Sequence, residues 1–258
     1  MAIKIYNKDK FSGLFGIRAS NFERELEYTA PPSGPQIITN GLQLNLDAGD
    51  SSSYPGSGTT WYDLSGNNNN GTLVNGPTYS SANGGSIVFD GTDDYVAETS
   101  SLSDAFWQGN WTASFWVNFD SLNTGNYTGD RPLLQHGSSS TRRGLHLNQR
   151  NSRIHFGLYG DDLGGTNVLS TGTWYNVVFT LNNSSYVKQI YLNGVLDNSH
   201  TGGGAYAGTG TNTRICGKVL NFGLFFDGFM SSCSFYNRVL TASEITQNYN
   251  ALKGRFGL

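Results

Sequence analysis

Charge is scarce in this chain. Lys, Arg, Asp and Glu make up 14% of its 258 residues, against about 25% in an average soluble domain. The balance of 16 basic against 19 acidic residues excludes a nucleic-acid binder that works through bulk electrostatics. Cysteine is nearly absent. Cys216 and Cys233 are the only two, too few to staple a chain of this length; they either form one bridge or pack singly as buried thiols. No apolar run reaches the roughly 18 residues of a membrane span. Met1 through Lys10 lack the apolar h-region of a secretory signal, which predicts a chain made and folded in a cytoplasm. Glutamate is rare too: Glu23, Glu25, Glu27, Glu98 and Glu244 are the whole set.

Polarity comes instead from Asn, Ser, Thr and Gly. The 34 glycines are about twice the usual share, and 13% aromatics argue against disorder. Leu42–Leu46 and Trp111–Phe119 alternate apolar and polar, as half-buried strands do. Further strands are predicted at Ser86–Phe89, Gly144–Leu147, Arg153–Leu158, Tyr175–Leu181, Lys188–Leu192, Thr213–Gly217 and Phe229–Tyr236. Asn75-Gly76, Asn83-Gly84, Asp90-Gly91, Asn193-Gly194 and Asp227-Gly228 are candidate tight turns, since both central positions of a type I′ hairpin need positive φ. One helix is expected near the end. Thr241-Ala242-Ser243-Glu244 is a capping box, Ile245, Tyr249 and Leu252 share a face, and Gly254 is placed to stop it. Many short strands and one short helix predict an all-β, two-sheet antiparallel sandwich.

Residues 1–36 read differently. Basic and acidic residues are dense there, mixed with Ile3, Ile5, Phe11, Phe15, Ile17 and Phe22, and the segment ends in Ala30-Pro31-Pro32-Ser33-Gly34-Pro35. This is the pattern of an extended docking arm on a stiff proline linker. Two domains follow: an arm over 1–36, with those six apolar residues as its assembly contacts, and a body over 37–258.

The body also carries an ordered set of motifs. Trp61-Tyr62-Asp63-Leu64-Ser65-Gly66-Asn67, Val88-Phe89-Asp90-Gly91-Thr92-Asp93-Asp94-Tyr95, Thr173-Trp174-Tyr175 and Ile190-Tyr191-Leu192-Asn193-Gly194 lead to Phe235-Tyr236-Asn237-Arg238-Val239-Leu240-Thr241. Together these resemble the laminin-G-like, concanavalin A-like lectin/glucanase jelly-roll superfamily over about residues 37–252. The Asn- and Ser-rich form, with Ala251-Leu252-Lys253-Gly254-Arg255-Phe256-Gly257, is similar to copies in virion proteins of tailed phages. The family usually carries an acid just after the Asp-Gly of its last long strand. Here that stretch is Met230-Ser231-Ser232-Cys233.

The resemblance implies a jelly roll and three kinds of site. Structural Ca²⁺ in such folds is held by Asp side chains and loop carbonyls, and needs about 6–8 oxygens; Asp47, Asp63, Asp90 and Asp227 stand at family-like positions. Each also suits a simple Asx turn, Asp90 and Asp227 most of all because Gly follows. Glycan binding needs rings to stack on and fixed polar groups. Loop candidates are Tyr127, Tyr159, Asp161, Asp162 and Tyr206 beside Arg142 and Arg143, with Tyr54 and Trp61 as further rings; Trp61 and Tyr159 also suit a core. Hydrolysis of the glucanase type needs paired carboxylates on one strand face. Glu98 has no second Glu nearby, and neighbours such as Asp161 and Asp162 would point to opposite faces. His146 and His155 occupy alternating strand positions and read as structural.

The expectation is a non-enzymatic virion protein: a capsid decoration, head-fibre or tail adhesin subunit present in many copies. It would attach to other virion proteins through residues 1–36 and present a lectin-like module to host-surface glycans. A secreted or cell-surface bacterial carbohydrate-binding protein and a polysaccharide hydrolase are the alternatives.

Overall fold

The computed structural model describes residues 35–98, 102–210 and 213–258. Ile3, Ile5, Phe11, Phe15, Ile17 and Phe22, with nearly all of the expected arm, lie outside the described residues.

Two antiparallel sheets face each other. The first runs β14 (Val195–Thr201), β13 (Val187–Leu192), β12 (Trp174–Asn182), β7 (Trp111–Phe119), β16 (Asp227–Tyr236), β5 (Ser86–Asp90) and β4 (Thr78–Ser80). β1 (Leu42–Asp47) joins it on β16. The second runs β11 (Asp162–Gly164), β10 (Arg153–Gly157), β9 (Gly144–Arg150), β8 (Arg131–Gly137), β15 (Arg214–Ile215), β6 (Tyr95–Glu98), β3 (Gly71–Val74) and β2 (Thr60–Trp61). The all-β jelly-roll sandwich expected from the sequence is the fold observed.

β16 is the spine of the first sheet. One edge pairs with β7 from Gly228 to Tyr236, with a register shift between Met230 and Ser232. The other edge is shared: Asp227–Met230 pair with β5, and Ser232–Tyr236 pair with β1. Between the sheets lies one core, with Trp61, Trp107, Trp111, Phe115, Phe119, Phe156, Phe179 and Phe235 in it. Burying each such ring stabilises by about 1.5–3 kcal/mol. Cys216 and Cys233 are free thiols inside this core, where burial pushes both thiol pKa values up.

Alternation in β7 predicts a half-buried strand, yet all nine residues are buried. The outer face is covered as well. Trp116 stacks on Phe256 at 4.3 Å and on Tyr249 at 5.7 Å. These covering rings come from α2 (Ala242–Leu252), which follows the single-turn α1 (Asp104–Trp107) in the chain, and from a 3-10 turn over Lys253–Phe256. The capping box on Thr241 and Glu244 is present. Gly254 does not end the helix: the chain tightens into the 3-10 turn, and Gly257 takes the left-handed conformation at φ 73°. Residues ahead of β1 are tied to this helix, since Ile38 N–H donates to Asn248 at 2.7 Å and Tyr236 donates to the Ile38 carbonyl at 3.0 Å.

All three Asn-Gly pairs have both residues at positive φ, at 75–76, 83–84 and 193–194; 193–194 is the expected two-residue hairpin, whereas 75–76 links the two sheets and 83–84 lies in a 3-10 turn. The Asp-Gly pairs differ. Asp90 and Asp227 are strand residues facing each other across β5 and β16, and only the glycines after them have positive φ.

Candidate functional site

The outer face of the second sheet carries a polar patch built by strand register. On β9, Leu145 and Leu147 point into the core, so His146, Asn148 and Arg150 face outward. On β10, Ile154 and Phe156 point inward and His155 faces out. His146, Gly157 and Asp162 stand in one row across β9, β10 and β11, with Gly157 in the middle. The missing side chain there is what lets the outer two approach. A Cβ on Gly157 would lie 1.8 Å from His146 Nε2.

The resulting cluster is compact. His146 Nε2 lies 3.7 Å, and His155 Nε2 3.3 Å, from the same Asp162 Oδ2. The two imidazoles stack with centroids 5.6 Å apart. His146 Nδ1 lies 2.9 Å from the Gly144 carbonyl, an acceptor, so Nδ1 carries the hydrogen. Arg150 forms a fork on buried Asp130 at 2.8 and 2.6 Å and reaches Asp162 at 3.6 Å. Asn148 donates to Asp130 at 2.7 Å. Burial pushes the Asp162 pKa upward, but hydrogen bonds from His146 and His155 overcome it and hold the carboxyl well below its usual range. Burial lowers the His155 pKa, with Asp162 opposing. Asp162 is therefore ionised and His155 neutral near pH 7.

Above the cluster opens a pocket of about 430 Å³, lined by Tyr127, His146, Arg150, Tyr159, Gly160, Asp162, Asn221 and Phe222. Its volume suits a small ligand. Phe222, in the loop before β16, joins the rings: it meets His146 at 5.0 Å, Tyr159 at 6.0 Å and Tyr127 at 6.1 Å. Tyr159 and Gly160, with φ of 61° and 87°, form the two-residue turn between β10 and β11. A tyrosine at positive φ costs about 1–3 kcal/mol and presents its ring at the pocket wall.

Of the seven glycan candidates, the structure brings Tyr127, Tyr159 and Asp162 to this pocket. Asp161 turns away from Asp162, as alternation predicts, and its carboxylate takes the buried Lys188 ammonium. Arg142 lies beside Gly203 and Gly204, and Arg143 is exposed. Tyr206 is not available to a sugar: it is 1% exposed and its hydroxyl meets His136 Nδ1 at 2.8 Å inside the core. Tyr54 and Trp61 are buried as well. His146, Arg150, Asn221 and Phe222 were missing from the sequence-based set. Strand alternation marked His146, but its partner becomes visible only with the register of β11.

The four aspartates put forward for Ca²⁺ do not converge on one site. Asp47 accepts from Arg255 at both oxygens, at 2.8 Å, and from the Gly49 amide. Asp63 accepts from the amides of Asn45, Ser65 and Asn69 and from the Ser65 hydroxyl. Asp227 accepts from Ser121, with Arg131 at 3.9 Å. Their lone pairs are spent on turns and cations. Asp90 stands instead with Asp93 and Asp94, with donor oxygens within 4.8 Å of one another. Asp94 is 4% exposed, and its pKa is raised, by burial first and by Asp90 and Asp93 as well. Among the described residues no Lys or Arg forms an ion pair with this group, and three close carboxylates fit a hard cation.

The family model of the concanavalin A-like lectin/glucanases superfamily matches residues 90–246. The chain belongs to that superfamily. No curated protein matches it. Among solved structures it is similar to domain 4 of AbnA, a GH43 extracellular arabinanase from Geobacillus stearothermophilus, solved with arabinotriose. That match has 17% identity and a TM-score of 0.60, covering 81% of this chain and 98% of that one. It is also similar to Trypanosoma rangeli sialidase, at 19% identity and TM-score 0.59, covering 86% of this chain and 34% of that one. The binding domain of Paraclostridial Mosquitocidal Protein 1 matches at 16% identity and TM-score 0.58, covering 83% of this chain and 52% of that one. The chain thus spans about a third of the sialidase and about half of the mosquitocidal chain. At these identities the likeness establishes the fold.

Proposed function

We propose that this chain is a non-enzymatic glycan-binding module. The observation that carries the reading is the pocket on the second sheet: three rings, Tyr127, Tyr159 and Phe222, stand around a floor of Arg150, Asp162 and Asn221. Rings stack on sugar faces, while fixed charges and amides hold hydroxyls. The arabinotriose held by the AbnA domain supports a sugar as ligand. One carboxylate, Asp162, is among the lining residues, where glycoside hydrolysis takes two. Titrating the chain with arabinotriose, sialic acid and a panel of bacterial surface glycans tests the reading. Binding to one class, weakened at least tenfold by Tyr159→Ala and by Phe222→Ala, is expected; no binding across the panel rejects it. Hydrolysis of a bound glycan that Glu98→Gln abolishes would make the chain an enzyme.

The setting that we propose is a phage virion, as a capsid decoration, head-fibre or tail adhesin subunit, with residues 1–36 gripping other virion proteins. The mixed apolar and charged make-up of that segment and its proline-rich end support it. Weak single-site affinity then rises through copy number. A chain lacking residues 1–36 that still enters particles would overturn this, leaving a secreted or cell-surface binding protein as the reading that the extracellular AbnA likeness favours.

A structural Ca²⁺ belongs to the same proposal, held by Asp90, Asp93 and Asp94 rather than by Asp47, Asp63 and Asp227. Its work is to neutralise these carboxylates between β5 and β6. Adding Ca²⁺ to chelator-treated protein is expected to raise the Tm by several degrees, and Asp93→Asn to remove that rise; an unchanged Tm counts against the ion.

A further inference from the structure

The floor of the pocket has the donor chemistry of a transition-metal centre. We infer that His146, His155 and Asp162 form a site for one divalent cation of the zinc class, with an open position facing the pocket. Three observations carry this, none of which needs a sugar.

The first is geometry. A tetrahedral zinc with ligands at about 2.0–2.1 Å places donor atoms about 3.3–3.4 Å apart. His155 Nε2 and His146 Nε2 lie 3.3 and 3.7 Å from Asp162 Oδ2, and the three donor atoms all lie within 4.8 Å of one another.

The second is the orientation of the His146 ring. The hydrogen of His146 is committed at Nδ1 to the Gly144 carbonyl. That leaves Nε2 as the nitrogen facing the Asp162 carboxylate, 3.7 Å away. The His146 ring is 2% exposed, so packing holds it in that orientation. The Gly144 carbonyl orients the ring from behind, as the outer partner of a metal-bound histidine does.

The third is charge. Around the cluster the three carboxylates of Asp130, Asp161 and Asp162 meet two fixed cations, Arg150 and Lys188. Two nitrogens and one carboxylate suit zinc, nickel or copper and disfavour calcium or magnesium. Three protein ligands leave the fourth position to a water or to a ligand oxygen. The pocket side of the cluster is where that position opens, so a bound glycan hydroxyl completes the shell; this last clause rests on the glycan-binding reading.

Metal alone tests the site first. The chelator-treated full chain is titrated with Zn²⁺ by calorimetry and with Co²⁺ by visible absorption. One equivalent of tight binding and the intense d–d band of four-coordinate cobalt are expected. His155→Gln and Asp162→Asn should each weaken Zn²⁺ binding at least tenfold, while Asp93→Asn should not, with far-ultraviolet circular dichroism showing each variant folded. No Zn²⁺ binding, or affinity unchanged in His155→Gln, overturns the site. Glycan affinity is then compared with and without Zn²⁺. A gain of several-fold supports the open position. Equal affinity overturns that clause alone, while absence of any glycan binding beside intact metal binding overturns only the glycan reading.

Discussion

Gly157 does more for the candidate site than any side chain in it. It is the gap in a row of three across β9, β10 and β11, and the His146 imidazole occupies that gap. Gly157→Ala is expected to push His146 off its position and cost about 1–3 kcal/mol, read as a lower urea midpoint together with weaker ligand binding at the pocket. Lys188 is the opposite case, a charged side chain with no exposed surface whose ammonium sits on Asp161. Lys188→Met strands that carboxylate and should cost about 3–5 kcal/mol. Changing Asp161→Leu in the same chain should recover part of the loss, which a double-mutant cycle in urea measures. At this scale the sequence was partly legible. Tyr127, Tyr159 and Asp162 could be picked out as loop rings and a polar partner. Tyr206 looked the same in sequence but is a core ring, because His136 and the carbonyls of His136 and Arg143 take its hydroxyl. Residue type alone does not tell these apart.

Among elements, those specified by local pattern were read correctly and those specified by partners were not. β7 runs from Trp111 to Phe119 as its alternation predicts. β8 was missed, since Pro132, the adjacent pair Leu133-Leu134 and a register shift hide any alternation. β11 was missed because Tyr159-Gly160 makes a hairpin turn normally signalled by Asn-Gly. The C-terminal helix was legible at its start, where the capping box is local, and not at its end, where Phe256 continues past Gly254 to stack on Trp116. That cap also sets a pH response. The Glu244 pKa is pulled down to about 2 from 4.5, by the Arg238 guanidinium first and then by the Thr241 amide. A carboxylate depressed in the folded state stabilises above its unfolded pKa and loses that contribution as pH falls through the folded one. Between about pH 4.5 and 2 the wild-type Tm is therefore expected to fall more steeply than that of Glu244→Gln, and the two curves to converge near pH 2.

For the whole molecule, the sandwich was legible because strand patterns, turns and the ordered motifs agreed. The residues just ahead of β1 are held by the C-terminal helix. Gln36 accepts from Gln247 through its carbonyl, and Ile37 and Ile38 pack against the cluster under α2. A chain starting at Pro35 is expected to fold with the near-ultraviolet circular dichroism of the full protein. One starting at Asn40 loses both isoleucines and the Ile38 hydrogen bonds, and should be about 2 kcal/mol less stable in urea. The spine of the first sheet has a further bearing, on biosynthesis. Three strands made early, β1, β5 and β7, all await one made more than a hundred residues after the latest of them. Until residues 227–236 clear the ribosome, the nascent polypeptide carries unsatisfied strand borders. Pairing along the spine is therefore non-local and late, and those borders stay open to other chains until β16 takes its place.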